Sequence, residues 1–169
     1  MPRKAKATYK GKVKRNFTKK VSTGKIKATK TQIDGIKFAS QLEAFAYKKL
    51  KEAGLEFDYE PRSYEIFPKF VYPGETWEQV GKKPDLENKE LKTILPITYT
   101  PDFVAKDGSW VIECKGFAND RFPYVWKMFK HKLIENHRGK IGYLPHLFVP
   151  KNQKQILFCI QRILELQEC

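Results

Sequence analysis

From Ser40 to Gly54 the chain reads SQLEAFAYKKLKEAG, and Leu42, Phe45, Ala46, Lys49, Leu50 and Ala53 fall on one helical stripe. Ser40 is placed to cap this segment and Gly54 to stop it, so the spacing predicts a helix over 40–54. The period then shortens to two. Leu55–Glu60 and Ser63–Phe67 read as short strands split by Pro61, with Phe57, Tyr59 and Tyr64 as their aromatic content. A β-hairpin is predicted from Ile97–Ala105, a turn at Lys106-Asp107-Gly108, and a second strand over Ser109–Lys115. Phe122, Val125, Trp126, Phe129 and Leu133 predict a helix over Arg121–His137 that Gly139 ends. Ile141–Val149 reads as a strand, bent or at an edge because Pro145 lies within it. Asn152–Glu168 reads as a final helix with Ile156, Ile160, Ile163 and Leu164 on one face.

Two stretches carry no such period. Residues 68–96 hold four prolines and mixed charge, and read as an insertion or flap with a helical turn at Asp85–Leu91. Residues 1–30 contain no hydrophobic period at all and read as a disordered arm. The expected organisation is therefore the arm followed by one α/β (α+β) domain over 31–169.

Charge sharpens that division. The formal net charge is +14, yet twelve of the 33 Lys and Arg lie in residues 1–30, which contain no Asp or Glu. The other 139 residues hold 21 basic against 19 acidic side chains, so the basicity belongs mainly to the arm. A run of one sign this long is held most favourably against a polyanion. Lys10, Lys12, Lys14, Arg15, Lys19 and Lys20 are its candidate nucleic-acid contacts, joined by Lys127 and Lys130 on the 121–137 helix. A solubilising tail and a transit peptide are the other readings of this composition. Cys114, Cys159 and Cys169 have neither metal-ligand spacing nor an even disulfide set, which points to a reducing, intracellular setting. His131, His137 and His146 likewise lack metal-ligand spacing. The chain has no apolar run of membrane-spanning length and no secretory leader pattern.

Candidate chemistry concentrates on the 97–115 hairpin. Glu113 and Lys115 are two residues apart and share a strand face, while Cys114 points the other way with Trp110 and Ile112. Asp102 falls about where the cross-strand partner of Glu113 should be. Two carboxylates and a lysine thus meet at one place on an otherwise apolar hairpin. A plain reading is a cross-strand ion pair on a surface hairpin. A chemical reading is a Mg²⁺ site, since Mg²⁺ takes one or two carboxylates and keeps waters for its substrate, with a lysine beside it to orient or deprotonate water. Glu43 also has two readings. Ser40-x-x-Glu43 is a capping box in which Glu43 returns to the Ser40 amide. Glu43 also lies at the edge of the apolar stripe, from where it could turn inward as a third carboxylate.

Pro101, Asp102, Glu113 and Lys115 spell P-D, ten intervening residues, then E-x-K, which resembles the PD-(D/E)XK nuclease superfamily. Within it, four segments are similar to the phage endonuclease I family of DNA-junction-resolving nucleases: Phe38–Glu43, Lys51–Glu60, Tyr99–Phe103 and Glu113–Gly116. The resemblance covers about residues 36–150. It implies a restriction-endonuclease-like core, a central mixed sheet flanked by helices, and hydrolysis of DNA phosphodiester bonds, including those of branched or four-way-junction DNA. It implies Asp102 and Glu113 as Mg²⁺ ligands with Glu43 completing the site, the Cys114 backbone carbonyl as a further ligand, Lys115 serving the water, and Mn²⁺ able to substitute. DNA is the implied partner, a homodimer stays open beside a monomer, and the host cytoplasm is the setting if the gene is phage-borne. Residues 68–96 depart from the family by their length, in the region that helps build its intertwined dimer. Two rivals stand beside this reading: a nucleic-acid-binding module without catalysis, and a related nuclease acting on linear DNA or RNA.

If the arm neutralises about four to six phosphates, a chain starting at Thr31 should show a log K versus log salt slope flatter by roughly four to five units. Its melting temperature should stay nearly unchanged. A slope equal to that of the full chain would rule out an electrostatic tether, and loss of the fold would move the domain boundary toward the N-terminus.

Overall fold

The structure is a computed structural model and describes residues 31–82, 84–116, 120–137 and 144–168. The basic arm with its candidate contacts, Gly139 and the first residues of the expected 141–149 strand lie outside the described residues.

The chain begins with a hairpin, β1 (Thr31–Ile33) and β2 (Ile36–Phe38), then α1 (Gln41–Glu52), β3 (Phe57–Tyr59) and β4 (Tyr64–Phe67). Four short strands follow, β5 (Phe70–Val71), β6 (Trp77–Gln79), β7 (Leu86–Asn88) and β8 (Thr93–Ile94). Then come β9 (Ile97–Tyr99), β10 (Phe103–Ala105), β11 (Trp110–Ile112), α2 (Phe122–Asn136), β12 (His146–Phe148) and α3 (Gln153–Gln167). The fold is mixed α/β, with small sheets and, among the described residues, three helices. No helix among them is long and apolar enough to cross a membrane.

The largest sheet has four strands in the order β12-β11-β10-β3. It is antiparallel except for β12, which runs parallel to β11. The alternation of β11 decides what covers each face. Trp110 and Ile112 join a core with Phe38, Leu50 and Phe103, closed by Ile156 and Ile163 of α3. Val111 points to a second core with Tyr64, Tyr99 and the α2 residues Val125, Phe129 and Leu133. The sheet therefore has α1 and α3 on one face and α2 on the other.

Local chemistry fixes the helix ends. Ser40 has extended backbone and its hydroxyl accepts from the Glu43 amide at 3.2 Å. At the other end the Leu55 amide donates to the Leu50 carbonyl and the Gly54 amide to that of Lys51, the paired bonds of a Schellman stop. This turn requires φ of +70° at Gly54, which a side chain resists. Asn152 caps α3 through the Gln155 amide.

Several expectations are corrected. The predicted Ile97–Ala105 strand is two strands in different sheets: β9 pairs with β4, while β10 pairs with β11. The break falls at Thr100–Asp102, where Pro101 has no amide to donate. The second hairpin strand is assigned only over Trp110–Ile112 rather than through Lys115. Residues 68–96 hold no helical turn at Asp85–Leu91. The described residues of this segment extend the β4–β9 pair into a β-ribbon, in which β4–β9, β5–β8 and β6–β7 pair antiparallel in succession. Pro145 precedes β12 instead of bending it. On α3, Leu164 is exposed and Cys159 takes the buried place. On α1 the buried face runs through Glu43, Ala46, Tyr47 and Leu50, with Lys49 turned outward to pair with Glu52.

Gly54→Ala keeps the helix sequence but places a side chain at φ of +70°. It should lower unfolding free energy by about 1–2 kcal/mol in a urea titration, with an unchanged m-value. An unaltered midpoint would show that the stop does not depend on this glycine.

Candidate active site

The interruption of β10 places the acidic groups. Phe103 pairs with Ile112, and one step further along that register Asp102 stands opposite Glu113. Beyond β11 the backbone stays extended beside β12: the Glu113 amide donates to the Phe148 carbonyl and the Lys115 amide to that of Pro150, each at 2.9 Å. The Cys114 amide faces the opposite way. Its acceptor is a side chain, Asp102 Oδ2, at 2.6 Å. A carboxylate thus takes the place of the ladder carbonyl that the broken strand no longer supplies. The Asp102 carbonyl in turn accepts from the Glu60 amide at 2.8 Å, which ties the break to the end of β3.

Glu113 is 2% exposed, a burial that an unpaired carboxylate would not tolerate. Lys115 Nζ donates to Oε1 at 2.7 Å and the Tyr99 hydroxyl to Oε2 at 2.6 Å. The lysine ammonium also lies 4.8 Å above the Phe122 ring, at the start of α2. Glu43 is buried as well and is held in the same manner. Tyr59 donates to Oε2 at 2.8 Å, and the Ser40 hydroxyl donates to Oε1 at 2.7 Å. The reciprocal capping bond differs from expectation by one residue, since Glu43 Oε2 accepts from the Ala39 amide at 3.0 Å rather than from Ser40. Glu43 therefore caps the helix and faces inward at once. Its two sequence readings describe one side chain.

These groups share an electrostatic field. Burial, then the charges of Glu113 and Glu43, push the Asp102 carboxyl up to about 8, against the Cys114 amide and Lys115, which pull it down. Burial and the Glu113 carboxylate raise the Tyr99 hydroxyl far above its ordinary value, and burial and Glu43 do the same to Tyr59, so both remain hydrogen-bond donors. Burial also pushes the Cys114 thiol up, which removes it as a nucleophile near neutral pH. Cys114 Sγ packs in the first core, as its strand parity requires.

The structure thus brings together Glu43, Asp102, Glu113 and Lys115, which come from α1, the β10 break and the extension of β11. Lys127 and Lys130 are exposed on α2, the latter 5.8 Å above the Trp126 ring. Among the described residues, no three His, Cys, Asp or Glu side chains are gathered as a ready ligand cage. The donor set is nonetheless one that suits a hard cation. Its ligand atoms are carboxylate oxygens, and burial with the charges of Glu113 and Glu43 raises the Asp102 carboxyl against the pull of Lys115, a repulsion that a bound cation would relieve. Asp102 and Glu113, with Glu43 near them, are the residues that could hold Mg²⁺ here. Tyr59 and Tyr99 were missed by sequence reasoning, which took Tyr59 only as aromatic content and Tyr99 only as part of a matching segment. A tyrosine three residues before Asp102, at a strand end beside the turn into the site, was the available signal.

The raised Asp102 carboxyl has a consequence for stability. Its folded value lies above the unfolded value near 3.8, so its stabilising effect is complete below about pH 4 and is lost as pH rises toward about 8. Asn cannot titrate and can still accept the Cys114 amide. In metal-free buffer, Asp102→Asn should therefore raise the melting temperature by several degrees more at pH 8.5 than at pH 5. An equal gain at both values would show that Asp102 feels no such repulsion.

No curated protein and no solved structure matches the chain. A family model does match, over residues 23–142, a span that contains Glu43, Asp102, Glu113 and Lys115. The chain belongs to the family described as Protein of unknown function (DUF1064).

Proposed function

We propose that the protein is a Mg²⁺-dependent endonuclease that hydrolyses DNA phosphodiester bonds, built on a restriction-endonuclease-like core and related to the junction-resolving nucleases its segments resemble. One observation carries the reading. Asp102 and Glu113, with ten residues between them in sequence, stand opposite each other at the ends of neighbouring strands, with Lys115 bonded to Glu113 and Glu43 within electrostatic reach. The four-stranded mixed sheet with helices on both faces supports the core assignment.

In this reading Asp102, Glu113 and Glu43 would hold the cation, with the Cys114 carbonyl as a further ligand. The bound ion would supply charge stabilisation for the phosphate being cleaved. The protein's own groups do the remaining work. Lys115 is an ammonium set beside Glu113 and propped on Phe122, where it can orient an attacking water and take part in moving its proton. Tyr99 and Tyr59 fix the two glutamates through donors that do not ionise near neutral pH. Exposed Lys127 and Lys130, with the arm's lysines, supply phosphate contacts without base preference.

Conversion of supercoiled plasmid to nicked circles tests the reading. Wild type should nick with Mg²⁺ or Mn²⁺ and be silent in chelator. Lys115→Ala should retain DNA binding and lose at least about a hundredfold in rate. Glu43→Gln can still cap, so it should melt as wild type does and cleave poorly. Metal-independent inertness of the wild type would leave a binding module. Full activity in Lys115→Ala would remove the lysine's role, and full activity in Glu43→Gln would reduce Glu43 to a cap. Matched four-way-junction, nicked and linear DNAs then rank the substrates.

A further inference from the structure

The loop between β3 and β4, residues 60–63, runs beside the β10 break and is fixed to it at both ends. The Glu60 amide donates to the Asp102 carbonyl at 2.8 Å. The Ser63 and Thr100 hydroxyls share a hydrogen bond of 2.5 Å, and Tyr64 then pairs with Tyr99. Within the loop, Glu60 takes a φ of 46°, a left-handed conformation that a residue with a side chain holds only where its surroundings impose it. The ring of Pro61 fixes the next φ. The loop is thus a rigid mount beside the carboxylates, and its one basic residue is Arg62.

Arg62 is exposed, and its guanidinium carbon lies 4.7 Å from the centroid of the Tyr64 ring. Among the described residues no carboxylate pairs with it, in contrast to Arg162, which is bonded to Glu165. Glu65 is turned outward on β4 while Tyr64 and Ile66 are buried, so it lies on the other face of that strand from the ring. The ring contact therefore orients a charge whose N–H donors meet no acid. Two further cations are mounted in the same way. Lys115 lies over Phe122 at 4.8 Å and Lys130 over Trp126 at 5.8 Å. The rings beneath all three form one series: Tyr64, Phe129, Trp126 and Phe122 follow one another with centroids 5.1, 5.5 and 5.7 Å apart. The second core thus carries a border of cations that runs to Lys115 in the site.

We propose that Arg62 binds a phosphate of the DNA strand whose scissile phosphate lies at the carboxylates. The inference rests on the cleavage reading above and adds to it the residue that holds the strand. A guanidinium presents a planar fork of donors that matches two oxygens of one phosphate. Lys115 is already bonded to Glu113, whereas Arg62 keeps its fork open to solvent. Because the loop is tied to Asp102 and Thr100, a phosphate gripped by Arg62 is placed relative to the carboxylates. Such placement is worth rate as well as affinity, since a small error in the position of a reacting group slows its reaction steeply.

Two measurements on the full chain test the proposal. The first is the anisotropy of a fluorescein-labelled duplex, titrated in chelator over a range of salt, which reads phosphate contacts without cleavage. Arg62→Ala should flatten the log K versus log salt slope by about one unit, and Arg62→Lys, which keeps the charge, should restore it. The second is single-turnover nicking of supercoiled plasmid with Mg²⁺ at saturating enzyme, where Arg62→Ala should be slower by at least about tenfold. The variant should melt within about 4 °C of wild type, since it loses only an exposed ring contact. A slope equal to that of wild type would overturn the proposal. So would a flatter slope with an unchanged nicking rate, because the phosphate held would then lie away from the cut. An inert wild type whose slope still falls in Arg62→Ala would overturn the cleavage reading and support the phosphate contact.

Discussion

The hydrogen bond from the Cys114 amide to Asp102 Oδ2 organises this protein. The chain breaks a strand at Pro101 and then repairs the ladder with a side chain. Because the acceptor is a carboxylate, the repair fixes an acidic group in a half-buried place beside the buried Glu113. Because Asp102 also holds the Glu60 amide through its carbonyl, the same residue joins β3 and the extension of β11. The position of Glu113 and Lys115 follows from that extension, whose amides alternate between β12 and Asp102.

Holding like charges together needs donors, and the fold supplies them from elements that otherwise do structural work. Tyr99 is the last residue of β9 and packs against Phe129 and Trp126 of α2, with ring centroids 4.8 and 6.1 Å away. Tyr59 ends β3 and packs against Phe38 and Phe103. Each phenol is apolar along its ring and donates at its tip, so core packing and carboxylate placement are the same event. Tyr99 is also where the ribbon joins the body. The root of the exposed arm and the support of Glu113 are thus one residue.

Much of this was legible in the sequence. The Lys106-Asp107-Gly108 turn fixed the hairpin register, because Gly108 supplies the positive φ and Asp107 accepts from the Ser109 amide, and that register places Asp102 against Glu113. The α1 ends were legible because capping is local chemistry. The Asp34-Gly35 turn of the β1–β2 hairpin carried an equally local signal, with φ of 52° and 79°, and went unread because the flanking strands are only three residues long. The outer ribbon was not legible: β5, β6, β7 and β8 bury almost nothing, so no alternation between core and solvent marks them, whereas β4 alternates and was read as a strand. The inward turn of Glu43 was only half legible, since the capping box explained the residue without calling on the carboxylates that lie beyond it. The two tyrosines were illegible as partners because their contacts join residues 14 and 16 positions apart through the fold.

The central claim of the proposed function is that Glu43, Asp102 and Glu113, which lie within electrostatic reach of one another, bind one cation together. Calorimetric titration of the chelator-treated protein with Mn²⁺, beside Asp102→Asn and Glu113→Gln, tests it without any nucleic acid. The account predicts saturable binding to wild type, with affinity lower by at least about tenfold in either variant and melting curves that show both still folded. Wild type that takes up no Mn²⁺, or variants that bind it as tightly as wild type, would contradict the account.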